Sequence, residues 1–258
     1  MIYCLFHAGS GLGDMLHRYI TVRTFAEEKG YKFGALGEFK GDFFLNQPNI
    51  IPYILTGYKQ WREKDVRDPQ NGDIRSYDPE INFVEDNTVI DGSFEDSKYW
   101  GHNLKNISEW LKVEPLEVPD DLCIVGFRGG EYAAIPDLFL TKEYYEEAIR
   151  EMREINKDMR FQVHTDDPIL AREYFPDFEI VENDKISHSK HTNMAFNWGS
   201  ARYAKYAIIP NSAFFILPRL LKHFEDPTAV TVAPRYWAGR NTGVWKRPAC
   251  YYSCFFYV

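Results

Sequence analysis

Three scarcities in this chain of 258 residues each remove a class of protein. No apolar run approaches the roughly 18 residues that a membrane-spanning helix needs. Nor does the chain open with the charged start and long apolar stretch of a secretory signal, so a soluble, cytoplasmic protein without a transmembrane segment is expected. Positive charge is short as well: 30 Lys and Arg face 38 Asp and Glu, a net charge of −8. A general nucleic-acid binder needs the opposite surplus, although local basic spots can still hold a small phosphorylated ligand. Cysteine is the third. Cys4 and Cys123 lie in apolar runs, where a thiol behaves as a small hydrophobe. Cys250 and Cys254 stand C-x3-C apart without a second pair, which supports neither a disulfide framework nor a zinc site.

Apolar residues make up 45% of the chain and charged residues 26%, the balance of a folded globular protein. Aromatics reach 16%; most are expected to pack in cores, with some left to stack on sugar faces.

The opening Ile2 to Phe6 reads as a buried strand, followed by the glycine turn Gly9-Ser10-Gly11-Leu12-Gly13. Apolar residues at helical spacing from Met15 to Lys29 end at Gly30, so the chain begins strand, glycine-rich turn, helix. The stretch from Phe39 to Asn87, with Pro48, Pro52, Pro69 and Pro79, predicts loops and short helices around one or two strands. A strand follows over 88–92 and a helix over Ser97 to Leu111. Residues 112–121 are acidic and hold Pro115 and Pro119, the composition of a linker.

The pattern then restarts: strands are expected at Leu122–Phe127, Arg160–Thr165, Phe178–Val181, Ala207–Pro210 and Ala229–Ala233. Helices are expected at Thr141–Asn156, Asp167–Tyr174, Asn193–Tyr206 and Phe214–His223, with Thr141 as N-cap and Gly129-Gly130 as a turn. Repeated βα units predict an α/β protein with a parallel sheet in each of two Rossmann-like domains, near 1–118 and 119–258. Ligands of such sheets bind outside the carboxyl ends of the strands, here in a cleft between the domains.

Four places offer chemistry. The glycine turn lets a backbone approach phosphate, but its G-x-G-x-G spacing departs from the dinucleotide fingerprint, and Asp14 at the helix start repels an anion. Arg128 closes an apolar strand, where a permanent charge needs an anion: a ligand's diphosphate, or a carboxylate such as Glu131. Asp166-Asp167-Pro168 reads as a helix cap or as a pair of metal or hydroxyl ligands, with the cap favoured. Asn211-Ser212, before a helix, offers donors to a phosphate or an N-cap.

The order of these segments resembles that of the bacterial α-1,2-fucosyltransferases. Ser10-Gly11-Leu12-Gly13-Asp14-Met15-Leu16-His17-Arg18-Tyr19 is similar to the family's Gly-Gly-Leu-Gly-Asn-Gln-Met-Phe-Gln-Tyr. Residues Asp91 to Tyr99 look like its Gly-Tyr-Phe-Gln-Ser-Glu-Lys-Tyr, and Val125 to Tyr132 like its Val-His-Ile-Arg-Arg-Gly-Asp-Tyr. Thr165-Asp166-Asp167, Asn211-Ser212-Ala213-Phe214 and Val232 to Trp237 match Ser-Asp-Asp, Asn-Ser-Ser-Phe and Ile-Ala-Pro-Lys-x-Trp.

The resemblance implies a GT-B fold and inverting, metal-independent transfer from a nucleotide-sugar donor, GDP-linked in preference to UDP-linked, to a glycan acceptor. It implies an acceptor-side first domain and a donor-binding second domain, with no further cofactor. Arg128 falls on the motif arginine that contacts the donor diphosphate. Gly129, Asn197, Asn211, Ser212, Ala213 and Phe214 fall on the donor side, and Gly11, Gly13 and His17 on the acceptor side. The family's motif histidine is Gly126 here, its second motif arginine is Gly129, and its base-reading acidic residue is Asn197, so the donor is fucose or another sugar. The proton acceptor that inversion requires is open among Glu131, His7, Asp14 and His17. Two other readings stand beside this one: a non-catalytic nucleotide- or sugar-binding protein of the same fold, and an NAD-dependent oxidoreductase with Glu38 on the ribose.

Overall fold

The computed structural model describes residues 1–51, 57–64, 77–181 and 191–258, with the backbone alone at 191–193. Pro52 and Pro69, used above as loop signals, lie outside the described residues. Contacts divide the chain into two units, Met1–Val113 and Glu114–Val258, and the division falls inside the acidic, proline-bearing stretch. The expected α/β class is what both units show: each is built on a parallel sheet.

In the first unit β1 (Ile2–Phe6) is the first strand laid down, and α1 (Leu12–Glu28) returns the chain to β2 (Phe33–Gly37). The helix starts three residues before the apolar spacing suggests, because Gly11 enters it in an extended conformation and Leu12 is already buried. It ends as expected: Gly30, at φ 67°, turns the chain so that Tyr31 N–H reaches Ala26 O at 2.8 Å. Met15, Leu16, Tyr19, Ile20, Val22 and Phe25 are buried by it. β3 (Lys59–Arg62) and β4 (Thr88–Asp91) complete the order β2-β1-β4-β3, with Cys4 level with Ala35 and Ile90.

One expectation fails here. The helix read over Ser97 to Leu111 is two 3-10 turns, Ser97–Tyr99 and Gly101–Asn103, and then only α2 (Leu104–Trp110). Trp100, at φ −143°, breaks the spiral, and its indole N–H donates to Phe94 O at 3.1 Å. Burial of the indole overrides the local helical spacing.

The second unit begins with β5 (Leu122–Phe127), every residue of which is buried. The short α3 (Gly130–Ala133) follows, then α4 (Lys142–Ile155), β6 (Arg160–Thr165), α5 (Pro168–Tyr174) and β7 (Glu179–Ile180). α6 (His191–Tyr203), β8 (Tyr206–Ile208), α7 (Ala213–Glu225), β9 (Val230–Ala233) and β10 (Phe256–Tyr257) finish the chain. The sheet order is β10-β9-β8-β5-β6-β7. Cys123, Val125 and Phe127 pack with Tyr145, Ala148 and Met152 of α4 and with Ala171 of α5.

Gly130 opens a helical turn instead of sitting in the expected loop, and Thr141 occupies the N-cap of α4 without a side-chain capping bond. Across the other face, the fully buried Arg219 donates to Ala201 O, Ala204 O, Lys205 O, Val230 O and Thr231 Oγ1. One guanidinium thus ties α6, the approach to β8 and β9 together.

Candidate functional sites at two switch points

A parallel sheet opens a crevice where successive strands depart in opposite directions from a common start. In the first unit the chain runs from β1 to β2 on one side and then to β3 and β4 on the other, so the switch point lies between β1 and β4. In the second it lies between β5 and β8. Most of the chemistry read from the sequence stands at these two edges.

At the second switch point Arg128 leaves the end of β5, with its side chain 30% exposed. Its Nη1 donates to Asp166 Oδ2 at 2.5 Å and its Nη2 to Glu131 Oε1 at 3.0 Å. The guanidinium lies 5.0 Å from the Tyr132 ring centre, and its Nε is buried with no hydrogen-bond partner among the described residues. Asp166 also accepts Gly129 N–H at 2.9 Å, so one carboxylate fixes both the side chain and the backbone after β5. Glu131, 73% exposed, adds a surface ion pair that contributes little.

Arg128 therefore meets carboxylates in this structure, the second of the two anions its position allowed. Asp166, expected as a cap or a metal or hydroxyl ligand, is instead the carboxylate that meets Arg128. The cap favoured for this pair belongs to Asp167, whose carboxylate accepts Leu170 N–H at 3.1 Å. No cluster of metal-ligating side chains occurs among the described residues.

Asn211 is buried, and its amide donates to Leu138 O at 2.8 Å and Trp237 O at 2.7 Å. It builds the loop, while its Oδ1 is buried without a partner among the described residues. Ser212 stands at the N-cap of α7 but makes no capping bond, so the helix begins without a side-chain cap. Ala213 and Phe214 are half-buried on its first turn, Phe214 edge-on to Trp198 at 5.7 Å. Tyr132 OH reaches Asn211 O at 3.5 Å and joins the β5 and β8 loops.

Asn197 Oδ1 lies 2.8 Å from Nδ1 of the fully buried His164. The histidine is also stacked on Phe196, and burial holds its pKa down at about 4.

Two of the three motif departures, the glycines, have no room for a side chain. A Cβ on Gly126 would lie 2.6 Å from Pro210 Cδ and 3.0 Å from the Phe215 ring. One on Gly129 would lie 2.5 Å from Asp167 Cβ. Neither the motif histidine nor the second arginine fits without rebuilding its neighbours.

At the first switch point His7, just past β1, places Nε2 2.8 Å from Asp91 Oδ1 at the end of β4. Arg62 donates to Asp91 Oδ2 from Nε at 3.1 Å and Nη2 at 2.9 Å, and Arg18 Nε stands 3.9 Å from Oδ1. Burial alone would raise the Asp91 pKa. The His7 hydrogen bond and the two guanidinium charges outweigh it and hold the carboxyl below its usual range. Arg18 also donates to Gly92 O at 2.7 Å and to Ser10 Oγ at 3.0 Å, while Lys40 donates to Ser10 O at 2.6 Å, so the glycine turn is held in place.

Gly11 and Asp14 are exposed at the start of α1. Gly13 is buried inside the helix, and His17 is 2% exposed, stacked on Trp100 with both ring nitrogens unpartnered among the described residues. Burial lowers its pKa to about 4. His17, expected to face an acceptor, is a core residue, one helical turn below the exposed rim.

No family model and no curated protein matches the chain. Among solved structures it is similar to the fucosyltransferase NodZ from Bradyrhizobium, at 15% identity over 85% of this chain and 92% of that one, with a TM-score of 0.47. A structure of NodZ α-1,6-fucosyltransferase soaked with GDP-fucose gives 14%, 85%, 91% and 0.48. The E. coli heptosyltransferase WaaC with ADP gives 13%, 100%, 92% and 0.48. No helix among the described residues is long and apolar enough to cross a membrane.

Proposed function

We propose that the chain is a GT-B glycosyltransferase that moves a hexose or deoxyhexose, such as fucose, from a nucleoside-diphosphate donor to a glycan hydroxyl. The donor is GDP-linked in preference to UDP-linked, and transfer inverts the anomeric centre without a metal. Residues Glu114–Val258 bind the donor and Met1–Val113 the acceptor.

One observation carries this reading: a permanent cation, Arg128, at the β5–β8 switch point, on the same tyrosine that touches the turn into a helix lacking a side-chain cap. Guanidinium and free helical amides are the two groups that bind phosphate oxygens best. As the anomeric bond breaks, the diphosphate gains charge, and a fixed cation stabilises that state more than the ground state. A diphosphate displaces the exposed Glu131 from the guanidinium, while Asp166, held also by Gly129 N–H, keeps the arginine aimed.

The test is a thermal-shift and calorimetric panel of GDP, UDP and their sugars, with and without EDTA, on wild type and Arg128→Ala. A stabilising nucleotide binds the folded state only, and raises the melting temperature by mass action. Wild-type binding that survives EDTA and drops at least about tenfold in the variant is expected, because a charge-assisted contact of about 1.5–3 kcal/mol is lost. Equal binding by both proteins refutes the role of Arg128.

The pairing of Arg128 with two carboxylates favours a second reading, a binding protein without transfer. Donor binding with no hydrolysis or transfer would select it. Glu38, exposed directly after β2, keeps the oxidoreductase reading testable by NAD(H) titration.

A further inference from the structure

An inverting transfer needs a group that takes the acceptor hydroxyl's proton, and the structure separates the candidates by their surroundings. Glu131 is on a four-residue helix and is tied to Arg128. Asp14 is exposed in the first turn of α1, without a hydrogen-bonded partner among the described residues to orient it. His17 is sealed in the core. His7 is different: it stands at the β1–β4 switch point, 38% exposed, with one ring nitrogen on a carboxylate and the other without a protein partner among the described residues.

We propose that His7 and Asp91 form a general-base dyad at this edge of the first sheet. Asp91 accepts the Nε2–H of His7 and fixes its tautomer, leaving the Nδ1 lone pair to receive the proton of an acceptor sugar hydroxyl. The assignment rests on the transferase reading above.

Asp91 is suited to orienting and unsuited to taking the proton itself. Its side chain is only 15% exposed, and Oδ2 is filled by Arg62 while Oδ1 faces His7. The imidazole meets Asp91 on β4, which in turn meets Arg62 on β3 and Arg18 on α1; the other charged groups on the elements at this edge are Asp14 in the first turn of α1 and Lys40 after β2. Arg18 and Lys40 are spent on Gly92, Ser10 and the Asp91 edge. A carboxylate behind an imidazole stabilises the imidazolium that forms as the proton arrives.

The reaction then balances as one displacement. The acceptor O–H gives its proton to His7 Nδ1 as the oxygen bonds to the anomeric carbon. The bond from that carbon to the diphosphate oxygen breaks, and the diphosphate leaves with the electron pair. The imidazolium later returns its proton to solvent. Asp91 is the positioning residue, and His7 is the group that touches substrate.

The experiment joins kinetics to a readout that needs no substrate. Long-range 15N–1H spectra of histidine-labelled wild type should show His7 protonated at Nε2 and bare at Nδ1 at neutral pH; the opposite tautomer overturns the dyad. With the nucleotide sugar found active in the panel, His7→Gln should lower kcat by about 100-fold or more at nearly constant KM and abolish the acidic limb of the pH profile. Asp91→Asn should lower kcat at least about tenfold, and the double variant should be no slower than His7→Gln, as groups acting as a unit require.

A wild-type enzyme that turns over, with His7→Gln at full kcat and an unchanged pH profile, overturns the dyad and leaves the transferase reading standing. A wild type inert to every nucleotide sugar overturns that reading instead, whatever the tautomer shows. If Asp91→Asn does not fold, the wild-type tautomer and the His7→Gln profile still decide.

Discussion

Gly126→Ala sets two opposite effects against each other, and the structure says which wins. Gly126 is not in the left-handed region, so alanine can adopt its backbone, and lost freedom in the unfolded chain should stabilise by about 0.4–1 kcal/mol. Against that, the new methyl stands 2.6 Å from Pro210 Cδ and 3.0 Å from two Phe215 ring carbons. Ordinary carbon contacts lie at about 3.5–4.0 Å. The proline ring has no rotamer to swing away, and Phe215 is 4% exposed in packed surroundings. Overpacking of this kind costs about 1–3 kcal/mol, so the net change is a destabilisation of about 1–2 kcal/mol. At about 2–4 °C per kcal/mol the melting temperature falls by roughly 2–8 °C. Urea titration and thermal melts of Gly126→Ala, Pro210→Ala and the double variant measure it. Removing the ring should recover part of the loss, a coupling of at least about 0.5 kcal/mol. A variant as stable as wild type, or strictly additive changes, would refute the steric account of why the motif histidine is missing.

Acid should weaken both units. His17 and His164 have folded pKa values held near 4 by burial, against about 6.5 unfolded. Their unfolded forms thus bind protons first, and stability is complete above about pH 6.5 and falls as pH drops toward 4, by up to about 3 kcal/mol per histidine. Urea midpoints at pH 8 and 5 should show this, and His17→Phe should flatten the slope; an equal slope in that variant contradicts it. Arg219→Met removes five hydrogen bonds, although Lys205 O keeps Val230 N–H and Thr231 Oγ1 keeps His223, and should cost about 3–5 kcal/mol in urea unfolding; a loss under about 1 kcal/mol would mean that the network is slack. Glu131→Gln removes the exposed competitor at Arg128, so GDP should bind as tightly or a few-fold more tightly in calorimetry. A tenfold loss would instead make Glu131 a direct ligand.

The fold was legible wherever burial on both faces writes a continuous apolar run. Leu122–Phe127 and Arg160–Thr165 are strands over the residues read from sequence. β10 was not read, because two residues carry no periodicity and their pairing with β9 is decided by the neighbour alone. β2, with two glycines in five residues, has little strand propensity of its own and is specified by its register on β1. The helix expected over Ser97 to Leu111 fails for the converse reason: its spacing is helical, yet burial of Trp100 sets the backbone.

Side-chain chemistry was legible as residue type and place along the chain, and illegible as pairing. Arg128 was visible as a cation ending an apolar strand; that its anion here is Asp166, 38 positions on, depends on β6 lying parallel beside β5. His7 was visible as a turn residue, but Asp91, 84 positions away, comes within 2.8 Å only because β4 pairs with β1. Both pairs join adjacent strands at the carboxyl edge of a parallel sheet, and so both are consequences of strand order. In such a fold, the residue just past the first strand of each unit meets whatever ends the neighbouring strand. Strand order is set by crossovers packing apolar faces, so the core selects which polar groups meet. A charge deletion at Asp91 or Asp166 should accordingly change what happens at the rim while leaving the register beneath it intact.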